Sequence, residues 1–326
     1  MLDWHRVLFL DDDITGMGRR QVRNAIAALD TGVRSTEVLG WAFDHFPDNS
    51  VPCHAYRLAG GRQDTFIGGG ALLVRLGEGL PHFPRAYNED WLFLFPLLAR
   101  RRNLVRLAGL LRQMPFDPFH SPLDARRQEG GDVLAEGLYR LLHRRHPVSQ
   151  ARTQDYWRGV LVMRRKWLLA VRTTLVGQLA DGTFGPGGRD EVARACAALD
   201  AVLTMEGVAE EWPDRLAGWV DQWLTDGRTW ARYLRRLPPR RSVAAALDHL
   251  GIEAAAGAAA VRPGIPPAPP AVTSGVPPAV TRAGRQVVMR VMRGVTPLAA
   301  DVLRRHTREE ACSVARRPSR AADRAP

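Results

Sequence analysis

The chain has 326 residues, of which 45% are hydrophobic and 25% are charged, so it is long enough to bury a substantial core. Its formal net charge is +12, but every one of its 46 basic residues except Lys166 is arginine, a bias that indicates GC-rich coding rather than a polyanionic partner, and we expect no nucleic-acid binding. Three isolated cysteines exclude a disulfide framework and a zinc ligand set, the acidic N-terminus excludes a signal peptide, and the apolar runs fall short of the roughly 20 residues that span a bilayer.

The residues up to about 128 are predicted to form a mixed α/β domain. Residues 7–10 are a short apolar run typical of a buried parallel strand, although a buried helix segment has the same composition. Residues 18–29 have apolar positions at helical spacing, and residues 51–58 follow a turn and are predicted to be a strand. Residues 66–74 predict a glycine loop that enters another strand, where a ligand or another backbone can come close.

From residue 129 to about residue 252 the pattern changes to amphipathic helices. Four tryptophans recur there at helical spacing, which favours packing over a ligand platform. They are Trp212, Trp219, Trp223 and Trp230. Residues 253–284 are rich in Ala, Gly and Pro and predict a linker, because such a segment buries too little apolar surface to order. Residues 285–326 are predicted to contain a short helix and a disordered basic tail.

The first cluster that suggests chemistry is the run Asp11, Asp12 and Asp13 at the end of the first apolar segment. Aspartates separated by one residue at a strand end offer the hard oxygen ligands that Mg²⁺ and Mn²⁺ prefer, with substrate phosphates as further ligands. The alternative is a helix N-terminus that Asp13 caps. Three consecutive carboxylates exceed what a cap needs and repel one another, which favours the metal site.

A second acidic cluster is formed by Asn88, Glu89 and Asp90 before Trp91, where an apolar segment with helix-forming composition begins. A carboxylate at a helix start that faces a cleft is able to act as a general base. The alternative is again a helix N-cap. The presence of the upstream aspartates favours the catalytic interpretation.

In their order and spacing, these segments resemble the second half of a family 2 glycosyltransferase domain of the GT-A fold. The resemblance covers about residues 5–120 and rests on the aspartate run, on the strand that begins with Gly68, Gly69 and Gly70, and on the Glu-Asp pair. It implies an α/β fold, here a partial GT-A-like sheet over residues 1–128, followed by an α-helical module and a disordered Pro-rich, basic C-terminal tail.

The resemblance also implies roles for individual residues. Asp11 and Asp13 match the Asp-x-Asp positions that hold Mg²⁺ or Mn²⁺ and, with Asp12 between them, the donor diphosphate. The three glycines match the strand that approaches the donor sugar and the acceptor. Asp90 matches the catalytic base and Glu89 its neighbour, so the three aspartates 11, 13 and 90 are expected to converge on one cleft.

The implied reaction is inverting transfer of a sugar from a nucleotide-diphosphate sugar donor to a hydroxyl of a glycan, lipid or small-molecule acceptor. His120 lies where the family places a loop over the donor, and it is a candidate third metal ligand or a solvated histidine. Arg164, Arg165 and Lys166 predict either a solvated basic face or contact with an anionic membrane surface. We expect a cytoplasmic protein, with this surface as its possible peripheral membrane contact.

Family members begin with strands and helices that bind the nucleotide base and ribose, and no counterpart precedes residue 7. We therefore expect an N-terminally truncated domain whose first strand lies at an exposed sheet edge. Two functional hypotheses remain. The chain is a glycosyltransferase, or the C-terminal portion of one, or it is a catalytically inactive remnant that acts as an interaction or membrane-surface module.

Overall fold

The computed structural model describes residues 5–31, 36–44, 50–62, 67–77, 79–237 and 244–245, which form a mixed five-stranded sheet and seven α-helices. The strands are β1 Arg6–Leu10, β2 Ile14–Thr15, β3 Val38–Asp44, β4 Gly68–Arg75 and β5 Val105–Gln113. The helices are α1 Arg19–Thr31, α2 Val51–Leu58, α3 Glu89–Arg100, α4 Pro122–Arg144, α5 Gln154–Asp181, α6 Gly188–Leu203 and α7 Trp212–Arg236. The predicted linker and basic tail lie outside the described residues.

The strands follow the order β1-β4-β3-β5-β2 across the sheet. Strand β4 is antiparallel to both of its neighbours, whereas β3 and β5 are parallel. Residues 7–10 therefore form a strand, as predicted, but it pairs antiparallel with β4 rather than as a parallel strand, with Leu10 opposite Ala71. The edge position predicted for this strand is confirmed within the described sheet.

The sheet is curled at the end where β1 leads into β2. These two strands occupy opposite edges although only Asp11, Asp12 and Asp13 separate them in sequence. In a flat sheet β1 and β2 would lie about 19 Å apart. The chain from Leu10 to Ile14 spans at most about 14 Å even when it is fully extended. The aspartates consequently cross the open end of a curled sheet.

The prediction of a strand at residues 51–58 is wrong, because Val51–Leu58 forms helix α2. Pro52 lies in its first turn, where the missing N–H costs nothing. Val51 and Ala55 are one helical turn apart and pack together against α5 and α6. The helical prediction for residues 18–29 is confirmed by α1. A strand is confirmed at β4, but Gly68, Gly69 and Gly70 belong to that strand rather than to a loop before it.

The sheet and the later helices share one hydrophobic core. Its buried members include Leu72 from the sheet, Phe93 from α3, Leu138 from α4, Trp157 from α5 and Trp223 from α7. Helix α4 runs through residue 128, at which the first domain was predicted to end, so the helical segment is packed directly onto the sheet. None of the described helices combines the length and the apolar composition that crossing a bilayer requires.

Arg164 on α5 lies in the interior with three acidic side chains of α4. Its guanidinium donates to both carboxylate oxygens of Glu129 at 2.9 and 2.7 Å, to Asp132 at 3.0 Å and to Glu136 at 2.6 Å. It also lies 4.7 Å from the ring centroid of Trp167. The basic face predicted for this helix is therefore wrong at Arg164, whereas Arg165 and Lys166 are exposed.

In this cluster the single positive charge of Arg164 faces three carboxylates, so their negative charge is only partly neutralised. Burial raises the pKa of Glu136 to about 7, with Asp132 and Glu129 adding to the shift and Arg164 opposing it. The folded protein therefore favours protonated Glu136. Its contribution to the free energy of unfolding falls as the pH rises from about 4.5 to about 7.

We expect Glu136→Gln to remove this pH dependence and to stabilise the protein at pH 8. The Glu136 side chain is 33% exposed, so solvent screening limits the gain to about 1 kcal/mol, or about 2–4 °C in the unfolding midpoint. Thermal melts of the wild type and the variant between pH 4.5 and 8 measure the difference. The exposed Glu210→Gln is the control, and parallel curves for wild type and Glu136→Gln would contradict the expectation.

Candidate functional site

The three aspartates form a tight turn between β1 and β2. The Asp11 backbone N–H donates to the Gly70 carbonyl at 2.9 Å and continues the β1–β4 ladder by one residue. The Ile14 N–H donates to the Asp11 carbonyl at 3.3 Å, which leaves Asp12 and Asp13 at the centre of the turn. The helix-cap alternative fails, because the residues that follow are strand β2 rather than a helix.

Asp13 is held at both its main chain and its side chain by the end of β5. Its carbonyl accepts from the Met114 N–H at 2.8 Å, and its Oδ2 accepts from Gln113 Nε2 at 3.0 Å. Within the described residues, Asp13 Oδ1 and Gln113 Oε1 are both buried without a hydrogen-bond partner. A buried carboxylate oxygen without a partner is costly, so this atom is suited to a cation or another donor.

The aspartates repel one another as the sequence suggested. The pKa of Asp11 is raised by burial first, then by the charge of Asp13 and by that of Asp12. A cation near these carboxylates would remove the repulsion and favour the ionised form of Asp11. Asp11 and Asp13 would offer two carboxylates to a divalent cation, which would have to draw its remaining ligands from a substrate.

The glycines at the start of β4 leave room for the side chains that lie against them. A Cβ on Gly69 would lie 2.4 Å from Oδ2 of Asp90, and one on Gly70 would lie 3.1 Å from Oδ2 of Asp11. A Cβ on Gly68 would lie 2.0 Å from the Phe43 ring. The sequence predicted close approach by a ligand or another backbone at these glycines, whereas the groups that approach them in the structure are side chains.

These contacts bring the two acidic clusters to the same end of the sheet. Since neighbouring Cα atoms are about 3.8 Å apart, the contacts at Gly69 and Gly70 place the Asp90 and Asp11 carboxylates within about 12 Å of each other. Consecutive strand residues point to opposite faces, so the two side chains contact different faces of β4. The backbone of β4 therefore lies between the two carboxylates, and the expected convergence of Asp11, Asp13 and Asp90 on one cleft is not observed.

Asp90 lies in the first turn of α3, as predicted, and is half-buried. The preceding Asn88 has φ 63° and ψ 34°, a left-handed conformation that asparagine tolerates better than most residues. The Asn88 side chain does not cap the helix but donates to Asp132 Oδ1 at 2.9 Å. The start of α3 is therefore fixed by α4, and the N-cap role predicted as the alternative for this cluster is not performed by the Asn88 side chain.

Two further contacts hold this end of α3. The Tyr139 hydroxyl donates to the Trp91 carbonyl at 2.9 Å, and a Cβ on Gly131 would lie 2.3 Å from the Tyr87 carbonyl oxygen. Burial, and secondarily the charge of Asp90, raises the pKa of Tyr139 well above its usual value. Tyr139 therefore stays protonated and donates its hydrogen bond. Asp90 is close enough for its charge to affect the Tyr139 pKa.

The remaining residues predicted for the site, Asp12, Glu89 and His120, have exposed side chains. His120 lies in the loop between β5 and α4. In the part of the chain that the structure describes, no three His, Cys, Asp or Glu side chains form a group arranged for a metal ion. His120 is therefore not grouped with Asp11 and Asp13 as a third ligand.

Sequence reasoning assigned no role to Gln113, which holds Asp13, or to Asp132, which holds Asn88. Asp132 lies one helical turn before Glu136 on a mostly apolar segment, and an acid in such a place signals a buried partner. Gln113 carried no comparable signal. Comparisons with family models, with curated proteins and with solved structures each find no match.

Proposed function

We propose that this chain is a glycosyltransferase, or the C-terminal portion of one, that transfers a sugar from a nucleotide-diphosphate donor to an acceptor hydroxyl with inversion. The observation that carries the proposal is that Asp90 and Asp11 lie against the consecutive glycines Gly69 and Gly70, on opposite faces of the same end of β4. Two segments far apart in sequence thereby supply a cation-binding turn and a candidate base within about 12 Å.

Asp90 is the general base in this proposal. Asp90 lies in the first turn of α3, where the positive end of the helix dipole interacts favourably with a carboxylate. A base must reach the proton of the attacking hydroxyl, and the half-buried side chain is accessible from solvent. Because Asp90 and Asp11 contact different faces of β4, the acceptor hydroxyl must reach Asp90 around the glycine end of that strand.

Asp11 and Asp13 would hold Mg²⁺ or Mn²⁺, with phosphate oxygens of the donor as further ligands. The unpartnered Oδ1 of Asp13 is the atom that supports this assignment. Gln113 fixes the Asp13 carboxylate through Oδ2, so that Oδ1 keeps a defined direction. When bound, the cation supplies charge neutralisation for the departing nucleotide diphosphate.

We expect the full chain to bind UDP or another nucleoside diphosphate only when Mn²⁺ or Mg²⁺ is present, as measured by isothermal titration calorimetry. Asp13→Asn should weaken the metal-dependent binding at least about tenfold, because it removes one anionic ligand of the cation. The control is Asp155→Asn, whose side chain is 90% exposed and lies on α5.

The same titration separates the active enzyme from an inactive remnant. The absence of metal-dependent binding for all of UDP, GDP, CDP, ADP and dTDP would contradict the proposal and support the remnant. Equal binding by the wild type and Asp13→Asn would place the nucleotide away from the aspartate turn.

A further inference from the structure

A groove of about 530 Å³ lies between α7 and the loop that precedes α3. Its aromatic lining is arranged as two stacked pairs on α7. Trp219 and Trp223 have ring centroids 5.8 Å apart at an interplanar angle of 23°, and Trp230 and Tyr233 have centroids 5.8 Å apart at 28°. The tryptophan stripe that the sequence assigned to packing therefore has a second role as the wall of a groove.

The groove is open to solvent, and two of its rings are held in place by contacts. Trp223 is buried in the main core, and Trp230 Nε1 donates to the Leu80 carbonyl at 2.9 Å, so both rings have fixed orientations. Across the groove, Phe83 is 37% exposed, and Tyr233 at its end is 40% exposed. Because the α7 rings stack on one another within each pair, the partly exposed rings of Phe83 and Tyr233 are the ones that a flat ligand can contact.

Polar side chains line the same groove between the aromatic faces. Gln222 Nε2 donates to Asp226 Oδ1 at 2.7 Å, which leaves the other Asp226 oxygen and the Gln222 carbonyl as acceptors. Thr229 adds a hydroxyl. Burial lowers the pKa of His82, with Asp226 opposing the shift, so its imidazole is largely neutral at pH 7 and both donates and accepts.

We infer that this groove binds pyranose rings of an oligosaccharide. A pyranose presents C–H groups on its faces, which suit aromatic rings, and hydroxyls around its edge, which suit a mixed set of donors and acceptors. A volume of about 530 Å³ accommodates a short oligosaccharide. A quaternary ammonium ligand fits less well, because Arg85 lines the groove and offsets the charge of Asp226.

Phe83 at the edge of the groove also contacts aromatic residues of α3, which carries Asp90, and of β1, which ends before Asp11. The Phe83 ring stacks on Phe93 of α3 with centroids 4.2 Å apart, and its edge meets Phe9 of β1 at 5.1 Å. Phe93 is about one helical turn from Asp90, and Phe9 is about 7 Å along the chain from Asp11. The inference rests on the proposed function only for the role of the ligand: in a glycosyltransferase, the bound oligosaccharide is the acceptor.

The test is binding of the full chain to an array of oligosaccharides that covers hexose, N-acetylhexosamine and deoxyhexose units, without metal or nucleotide. The strongest probes are then titrated by saturation-transfer-difference NMR. We expect Tyr233→Ala and Asp226→Asn each to weaken binding about tenfold, because they remove a stacking face and an acceptor from exposed positions. Phe184→Ala, an equally exposed aromatic outside the groove, should leave binding unchanged.

The outcomes distinguish this inference from the proposed function. Oligosaccharide binding that Asp13→Asn retains, in a chain that binds no nucleoside diphosphate, supports the groove and contradicts the transferase. Three results overturn the groove assignment. They are no binding on the array, binding that neither groove variant weakens, and displacement of the sugar by tetramethylammonium at equal concentration.

Discussion

Asp90→Asn is expected to reduce the rate of sugar transfer by about 10²–10⁴-fold while leaving metal-dependent nucleotide binding intact. The amide has the shape of the carboxylate and keeps its place over Gly69, but it cannot accept the proton of the attacking hydroxyl. The measurement is the initial rate of nucleotide release from the donor that calorimetry selects. A loss in kcat without a change in nucleotide affinity is the signature of a base.

The control for Asp90→Asn is Asp190→Asn, which removes an exposed carboxylate from the first turn of α6. Both substitutions weaken a favourable interaction with a helix dipole by about 0.3–1 kcal/mol, so both proteins should lose similar stability. Only Asp90→Asn should lose transfer. If transfer by Asp90→Asn stays within about twofold of the wild-type rate, Asp90 stabilises the helix and is not the base.

The sequence predicted those features of the site that depend only on residues close together along the chain. Acidic residues before an apolar run predicted the start of α3 at Glu89, and the glycines predicted close approach at the start of β4. Both signals act within a few residues, through the helix dipole and through the missing Cβ. They did not reveal which groups would approach the glycines.

Features that depend on partners far away in sequence were missed. The Asp13 contact with Gln113 spans 100 residues, and it follows from the curl that joins β1 to β2 across the sheet. Residues 51–58 suit either a strand or a helix by composition, and the packing of α2 on α5 and α6 decides between them. An apolar run such as residues 7–10 likewise carries no information on whether its partner strand is parallel.

Arg164 shows the same limit for charge. Its neighbours Arg165 and Lys166 make the segment look like a solvated basic face, yet Arg164 points inward to acids on α4. Whether a charged side chain is buried depends on opposite charges supplied by another helix. The acids were visible in the sequence, but their pairing with α5 was not.

Arg164→Ala is expected to destabilise the protein by about 3–5 kcal/mol, as measured by urea unfolding. The Arg164 side chain is 3% exposed, and its removal leaves the buried Glu129 and Asp132, together with the partly exposed Glu136, without their cation. The control is Arg158→Ala on the same helix, which removes an exposed guanidinium from Asp155 and should change stability by less than about 0.5 kcal/mol. Equal losses for the two variants would show that the buried cluster contributes little.

Arg164→Lys separates the charge of this residue from its geometry. Lysine keeps the positive charge but not the planar fork that donates to three carboxylates at once, so we expect a smaller loss of about 1–3 kcal/mol. Asp132 uses its other oxygen to hold Asn88, and Asn88 begins the helix that carries Asp90. A folded Arg164→Lys protein should therefore lose kcat more than nucleotide affinity. A variant with full kcat would show that the position of Asp90 does not depend on the buried cluster.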